Sequence, residues 1–248
     1  MKDQERILKM PNAEPNGFVK TLNNMGYMTS TLDPFSQAFV DFSSKSSCPV
    51  LDIGAAYGVA TLKALAKGAS VIANDIDQRH LDILWERAPK SQRSRLQLKP
   101  GSFPHELHFT SNSIRAVLIA RVFHFFSGPL IEESIAKIHE WLIPEGKLFI
   151  IAETPYLKSL QKFIPLYEER KREGNLWPGF IKDIAAFAPD RAKNLPLQMN
   201  MLDPEILVRV LTKAGFKVEK AHTFARPDFP VDLQLDGRES VGVIARKI

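Results

Sequence analysis

The residues best suited to chemistry lie in Asp52-Ile53-Gly54-Ala55-Ala56-Tyr57-Gly58, a run of small residues between an apolar stretch and an amphipathic one. Gly54 can take a backbone conformation closed to other residues, as a tight turn needs. Ala56 and Gly58 let the main chain approach a ligand closely. A helix beginning near Gly58 turns unsatisfied N–H groups and the positive end of its dipole toward an anionic group. Asp75 stands at the tip of the next apolar run. A carboxylate there can accept both hydroxyls of a ribose, a demanding two-point contact. Two nucleoside cofactors use such a layout. A dinucleotide site wants G-x-G-x-x-G to seat a pyrophosphate. This loop reads G-x-A-x-G and has Asp52 two residues before its first glycine. A carboxylate beside the loop is unfavourable for a pyrophosphate and suits the ammonium group of a methionine moiety. Tyr57 and Ile76 are candidates to line the same pocket.

A second group of candidates concerns proton transfer. His124 follows a strongly apolar run ending at Ala120. A neutral imidazole there can take a proton from a substrate hydroxyl. Glu153 and Tyr156 follow the next such run, at the same rim. Arg121 stands between these sets, within reach of a donor carboxylate or of an acidic substrate. His80, His105, His108, His139 and His222 show no metal spacing, so no metal site is expected.

These residues need a scaffold, and the pattern supplies one. Val50–Ile53, Val71–Ala73, Leu96–Leu98, Arg115–Ala120 and Leu148–Ile151 read as strands. Helical spacing fills the intervals at Val59–Lys67, at Gln78–Arg87 and after Ser127 and Pro129. Pro144-Glu145-Gly146 reads as a turn. Asp203-Pro204 caps a further helix, followed by strands at Phe216–Val218 and Ser240–Ala245. Continuous apolar strands alternating with helices predict a mostly parallel sheet covered on both faces. A ligand then belongs beyond the carboxyl ends of its strands.

The order of these features resembles class I S-adenosylmethionine-dependent methyltransferases. Val50–Gly58 looks like their first motif, a hydrophobic strand followed by D-x-G-x-G-x-G, with Ala56 in place of the middle glycine. Asp75 resembles the acid of their second motif. Gly101-Ser102-Phe103 resembles the stretch that frames adenine, with Ser102 for the usual aspartate. Ser113 to Phe125, Leu142 to Leu148 and Ala214-Gly215-Phe216 resemble the later strand entries, with Arg115 replacing another usual aspartate. Thr154-Pro155-Tyr156 is similar to the N/D-P-P-Y motif of adenine-N6 methyltransferases but follows the fifth strand, whereas that motif follows the fourth. The resemblance implies an α/β, Rossmann-like fold with a seven-stranded, mostly parallel sheet. It implies S-adenosylmethionine as donor and S-adenosylhomocysteine as product. Asp52, Gly54, Ala55, Tyr57, Gly58, Asp75, Ile76, Ser102, Phe103 and Arg121 are its implied cofactor residues. His124, Glu153 and Tyr156 are the candidates for catalysis.

Three parts are expected: an N-terminal arm and helix over 1–47, a cofactor domain over 48–156 and 201–248, and a helical cap insertion over 157–200. The insertion breaks the alternation with Pro165, Pro178, Pro189 and Pro196 among aromatic residues. With the arm around Tyr27, it is expected to cover a small organic acceptor. An RNA or protein methyltransferase, or a non-catalytic protein that binds the same cofactor, are the rival readings. The net charge of +5 is too mild to demand nucleic acid, and no RNA-binding module is recognisable. No apolar run approaches the roughly 20 residues of a membrane span, and Met1–Met10 is charged, so a cytoplasmic protein is expected. The single cysteine, Cys48, excludes an internal disulfide. Oligomeric state is left open.

Overall fold

The structure is a computed structural model that describes residues 9–15, 17–44 and 47–248. The first eight residues of the expected arm, with 16, 45 and 46, lie outside the described residues. Two short strands, β1 (Phe18–Lys20) and β2 (Tyr27–Thr29), form an antiparallel hairpin. Helix α1 (Pro34–Ser43) follows, capped by Asp33, whose Oδ1 accepts from the Phe35 and Ser36 amides. The alternating part then runs β3 (Val50–Ile53), α2 (Val59–Ala66), β4 (Val71–Asp75), α3 (Gln78–Arg87), β5 (Leu96–Pro100), β6 (Ile114–Ala120), α4 (Gly128–Trp141) and β7 (Leu142–Glu153). Residues 157–200 hold α5 (Ile164–Arg172), the two-residue strand β8 (Phe180–Ile181), α6 (Pro189–Ala192) and β9 (Met199–Asn200), which pairs with β8. Helix α7 (Pro204–Lys213), β10 (Phe216–Phe224) and β11 (Ser240–Lys247) complete the chain.

Seven strands form one sheet in the order β10-β11-β7-β6-β3-β4-β5. The block from β7 to β5 is parallel, and β11 runs antiparallel to both neighbours. Both faces are buried, which explains the unbroken apolar strands. On β6, Val117 and Ile119 face α4 and α7, while Ala116 and Leu118 face α1, α2 and α3. Helix α4 buries Ile131, Ile135 and Ile138 along one stripe. Each such isoleucine contributes about 1.5–3 kcal/mol by leaving water.

Two expectations need correction. Pro144–Gly146 does not end before the strand starts. It is an excursion within β7, where Ile114 pairs with Leu142 and Ala116 with Lys147. Glu145 takes φ 64° there, so the turn chemistry was legible while the pairing before it was not. The strand expected at Phe216–Val218 continues to Phe224, because β11 pairs with it along its length. Among the described residues no helix is long and apolar enough to cross a membrane.

Candidate active site

The loop after β3 is tied to the tips of its neighbours by main-chain bonds. Ala55 N donates to Asn74 O at 2.8 Å, and Gly101 N to Asp75 O at 3.1 Å. The Asn74 side chain donates to Lys99 O and Gly101 O, both at 2.9 Å, joining β4 to the end of β5. Gly54 takes φ 71°, and a Cβ there would lie 2.4 Å from Val122 Cγ2. The glycine is thus required twice, by conformation and by the close pass of the chain leaving β6.

A cavity opens at these strand ends. Its volume is about 290 Å³, at the lower edge of the ~300–1,000 Å³ of a typical single-ligand site. Of the expected cofactor residues, Asp52, Gly54, Ala55, Asp75, Ile76, Ser102, Phe103 and Arg121 line it. Tyr57 and Gly58 do not. Tyr57 is fully buried with Val19 and Ile83, and its hydroxyl donates to Lys20 O at 2.8 Å. Gly58 faces the neighbouring helix: a Cβ there would lie 2.0 Å from Leu84 Cδ1. Both residues sit in the right loop but serve its packing, a distinction spacing alone does not carry.

Asp75 is engaged on three sides. Its Oδ2 accepts from Ala56 N at 2.9 Å; its Oδ1 accepts from Asp77 N at 2.9 Å and lies 3.0 Å from His80 Nδ1. Leu22 N donates to His80 Nε2 at 2.9 Å, so the ring proton is on Nδ1 and donates to Asp75. A carboxylate offers about four acceptor positions. Three are used, leaving one on Oδ2. The two-point ribose contact expected from sequence therefore becomes a single contact unless Ala56 N is released. The His80 bridge also ties the arm, at Leu22, to the strand-tip carboxylate.

Asp52 is buried and accepts from Thr61 Oγ1 at 2.7 Å. Burial, with the charge of Asp75 adding to it, pushes its pKa up to about 6. No lysine or arginine of the described residues pairs with it, so the carboxylate lacks a cation. Ile76 is 59% exposed, an unusual position for a large apolar side chain, at the cavity wall beside Ser102. A ligand with a flat apolar ring, a ribose and an ammonium meets each of these features.

The other end of the cavity is built by side chains from β6, β7 and the segment between β10 and β11. Arg121 Nε donates to Glu153 Oε1 at 2.7 Å, and Ser240 Oγ donates to Glu153 Oε2 at 3.0 Å. Burial raises the Glu153 carboxyl, but Arg121, His124 and Arg226 outweigh it and hold the pKa below its ordinary value. An ionised carboxylate with both oxygens occupied is a poor proton acceptor. His124 lines the cavity, and Glu153 N donates to its Nδ1 at 3.3 Å. Its proton therefore sits on Nε2, and burial pushes its pKa down to about 4. The expected base is instead positioned as a neutral N–H donor. Tyr156 leaves the site altogether: it packs with Tyr167 in the 157–200 segment, and its hydroxyl is bonded to Glu168.

The roof includes residues that sequence reasoning missed. Phe18 from the arm, Phe125, and Arg226, Phe229 and Leu233 from the segment after β10 all line the cavity. So do Leu157, Leu160, Ile184 and Met201 from the segment expected to act as a cap. The arm meets that segment where Asn194 Nδ2 donates to Tyr27 Oη at 2.8 Å. Pro227, Asp228 and Pro230 make the 225–239 segment irregular, and nothing in its spacing aims it at a site. Among the described residues no group of three His, Cys, Asp or Glu side chains is placed to hold a metal.

This sheet order, with one antiparallel strand beside the end and a ligand loop after the first strand of the alternating part, is the fold of class I S-adenosylmethionine-dependent methyltransferases. The chain resembles such an enzyme from Mesorhizobium loti at 16% identity, covering 86% of this chain and 96% of that one, with a TM-score of 0.63. It resembles a glycopeptide N-methyltransferase complexed with S-adenosylmethionine at 17% identity, 86% and 92% coverage and a TM-score of 0.57. It also resembles a Burkholderia thailandensis 1,6-didemethyltoxoflavin-N1-methyltransferase bound to its substrate and S-adenosylhomocysteine, at 19% identity, 86% and 76% coverage and a TM-score of 0.59. No curated protein sequence matches the chain. Residues 50–146 match the family described as methyltransferase domain. The methyltransferase-domain match supports an enzyme, and the similar structures include ones solved with S-adenosylmethionine and with S-adenosylhomocysteine.

Proposed function

We propose that the cavity takes S-adenosylmethionine over the ends of β3, β4 and β5, and a small organic acceptor under the arm and the 157–200 segment. The observation that carries the donor assignment is Asp52, a buried carboxylate without a cation beside the Gly54 loop. It would hold the donor's ammonium. Ile76 and Phe103 would flank the adenine, Ser102 would bond its edge, and Asp75 would accept from the ribose. When bound, the donor supplies a methyl group already activated on a sulfonium, for in-line attack by an acceptor oxygen, nitrogen, sulfur or carbon. The chain's own work is alignment and exclusion of water, which can contribute roughly 7–11 kcal/mol. His124 would donate from Nε2 and orient the acceptor rather than remove its proton. Phe18, Phe125, Phe229 and Leu160 give the acceptor side an apolar wall, which favours a small molecule with apolar surface over RNA or a protein segment. The 1–47, 157–200 and cofactor-domain division, and a cytoplasmic location, belong to this reading.

The test has two parts. Calorimetric titration should show S-adenosylmethionine binding and no NAD binding. Tight binding of NAD alone would sink the donor assignment. Methyl-labelled donor, offered with separated small-molecule, RNA and protein fractions, should label only the first. Label entering RNA, with salt-sensitive binding, would move the acceptor to the RNA reading.

A further inference from the structure

Arg121 is a buried cation whose hydrogen-bonding capacity is not fully used. It occupies φ 62°, a left-handed conformation uncommon outside glycine. Its side chain is 19% exposed, and its Nη1 is buried without a hydrogen-bond partner. The guanidinium lies 5.5 Å from the Phe18 ring centre and 5.0 Å from that of Phe229. Among the described residues it forms an ion pair with Glu153, already shared with Ser240, while the charge of Asp228 acts on it more weakly. Arg226 is 2% exposed and opposes the charge on Arg121, while its own fork is taken by Asp228 at 2.9 and 2.8 Å. Burial lowers the Arg121 pKa, with Arg226 adding to it, and outweighs the opposing charges of Glu153 and Asp228. The buried cation is short of negative charge.

We infer that Arg121 Nη1 is the anchor for a carboxylate carried by the methyl acceptor, with the acceptor's apolar body against Phe18 and Phe229. This deepens the proposed function and rests on it. Direction separates an acceptor anchor from a donor one. The guanidinium is drawn toward Glu153 at the end of β7, while the donor features lie over β3, β4 and β5 on the other side of β6. A guanidinium offers a planar fork that matches a carboxylate, and an unpaired buried N–H discriminates strongly against a ligand that cannot accept from it. The carboxylate itself is not the methylated group: oxygens engaged by a guanidinium are weakened as nucleophiles, so it positions another atom of the acceptor.

Benzoate and benzamide test this as a matched pair, differing in charge and little in shape. Both are titrated against the protein, free and loaded with S-adenosylhomocysteine. Benzoate should bind at least tenfold more tightly than benzamide in both states. Two variants follow. Arg121→Met with Glu153→Gln removes the charge pair together, and the preference should vanish. Arg121→Lys keeps the charge and the Glu153 partner but removes the fork, and the preference should fall at least fivefold. Both variants should bind S-adenosylhomocysteine within threefold of the parent. Equal binding of the two probes to the parent overturns the inference, as does a preference unchanged in both variants. A tenfold loss of S-adenosylhomocysteine affinity in Arg121→Lys, with the benzoate preference intact, reassigns Arg121 to the donor. Failure of the parent to bind S-adenosylhomocysteine counts against the proposed function instead, and the free-protein titration still decides the anchor.

Discussion

At the donor end of the cavity, the chain is held by main-chain groups: Ala55 N on Asn74 O, Gly101 N on Asp75 O, Ala56 N on the Asp75 carboxylate. At the acceptor end it is held by side chains: Arg121 on Glu153, Ser240 on Glu153, Arg226 on Asp228. The first arrangement follows from the pitch of a parallel sheet and tolerates exchange of most side chains. The second follows from individual charges in a buried place and tolerates little. A common donor can thus be kept by the fold while the acceptor is set by a few residues that no strand pattern announces.

The largest predicted effect breaks the second arrangement. Glu153→Ala leaves Arg121 buried with no carboxylate, and losing one partner of a buried pair costs about 3–5 kcal/mol. Urea unfolding should show this loss, and pairing Arg121→Met with Glu153→Gln should recover most of it. A loss below about 1 kcal/mol would mean that the acceptor end is held by packing instead of charge.

At the donor end the contrast to read is between the affinities for the two ligands. Asp75→Ala removes the acceptor for Ala56 N, Asp77 N and His80 Nδ1 as well as the proposed ribose contact. The affinity for S-adenosylmethionine should fall about 100-fold, equal to roughly 2.7 kcal/mol, while benzoate binding stays within threefold. Calorimetry on both ligands reads the contrast. A parallel loss of both affinities would show that the two ends are one unit.

The ends also differ in sign when acid is added. Asp52 has a folded pKa of about 6, above the 3.8 of a free aspartate. Its contribution to stability is full below the unfolded value and is lost as pH rises through the folded one. His124, held near 4 against 6.5, contributes fully above the unfolded value and loses it as pH falls through the folded one. Between pH 6.5 and 4 the two oppose each other, each by up to about 3 kcal/mol at 1.36 kcal/mol per pKa unit. Asp52→Asn should therefore be more stable than the parent at pH 7, an advantage that fades toward pH 4. His124→Gln should gain on the parent as pH falls. Donor affinity should drop below pH 6 in the parent, as Asp52 protonates, and be flat in Asp52→Asn. Urea midpoints and calorimetry from pH 4 to 7.5 check both.

The same contrast explains what the sequence made legible. Every parallel strand and its crossover helix was readable, because a strand buried on both faces leaves a continuous apolar run, and Asp203 announces the start of α7. Asp52, Gly54 and Asp75 do line the cavity at the strand ends, where a loop that comes close to a ligand would restrict residue type. Tyr57 and Gly58 do not line it, since the same loop must also pack, and spacing does not say which residue faces Leu84 or Lys20. Arg226 and Phe229 were invisible. They reach the cavity through an irregular segment between two antiparallel strands, and only the folded path brings them beside Phe18, some two hundred positions earlier in the chain.

The smallest effect lies within the donor loop and asks whether its geometry is fully tolerant of side chains. Ala56 stands at φ 46°, a left-handed conformation that costs an L-residue about 1–2 kcal/mol. Ala56→Gly removes that cost but loosens the unfolded chain by about 0.4–1 kcal/mol. The net expectation is a gain between zero and about 1 kcal/mol, read as a small rise in the melting temperature of the ligand-free protein. Donor affinity should stay within threefold, because Ala56 N keeps its Asp75 partner in either variant. A clear loss of stability would show that the alanine methyl packs usefully in the loop, and that even the donor end depends on a chosen side chain. A gain in affinity above threefold would point to the other departure. The methyl group would then be what keeps the main chain from closing fully on the ligand, and this chain would have accepted a weaker donor site in exchange for a stiffer loop.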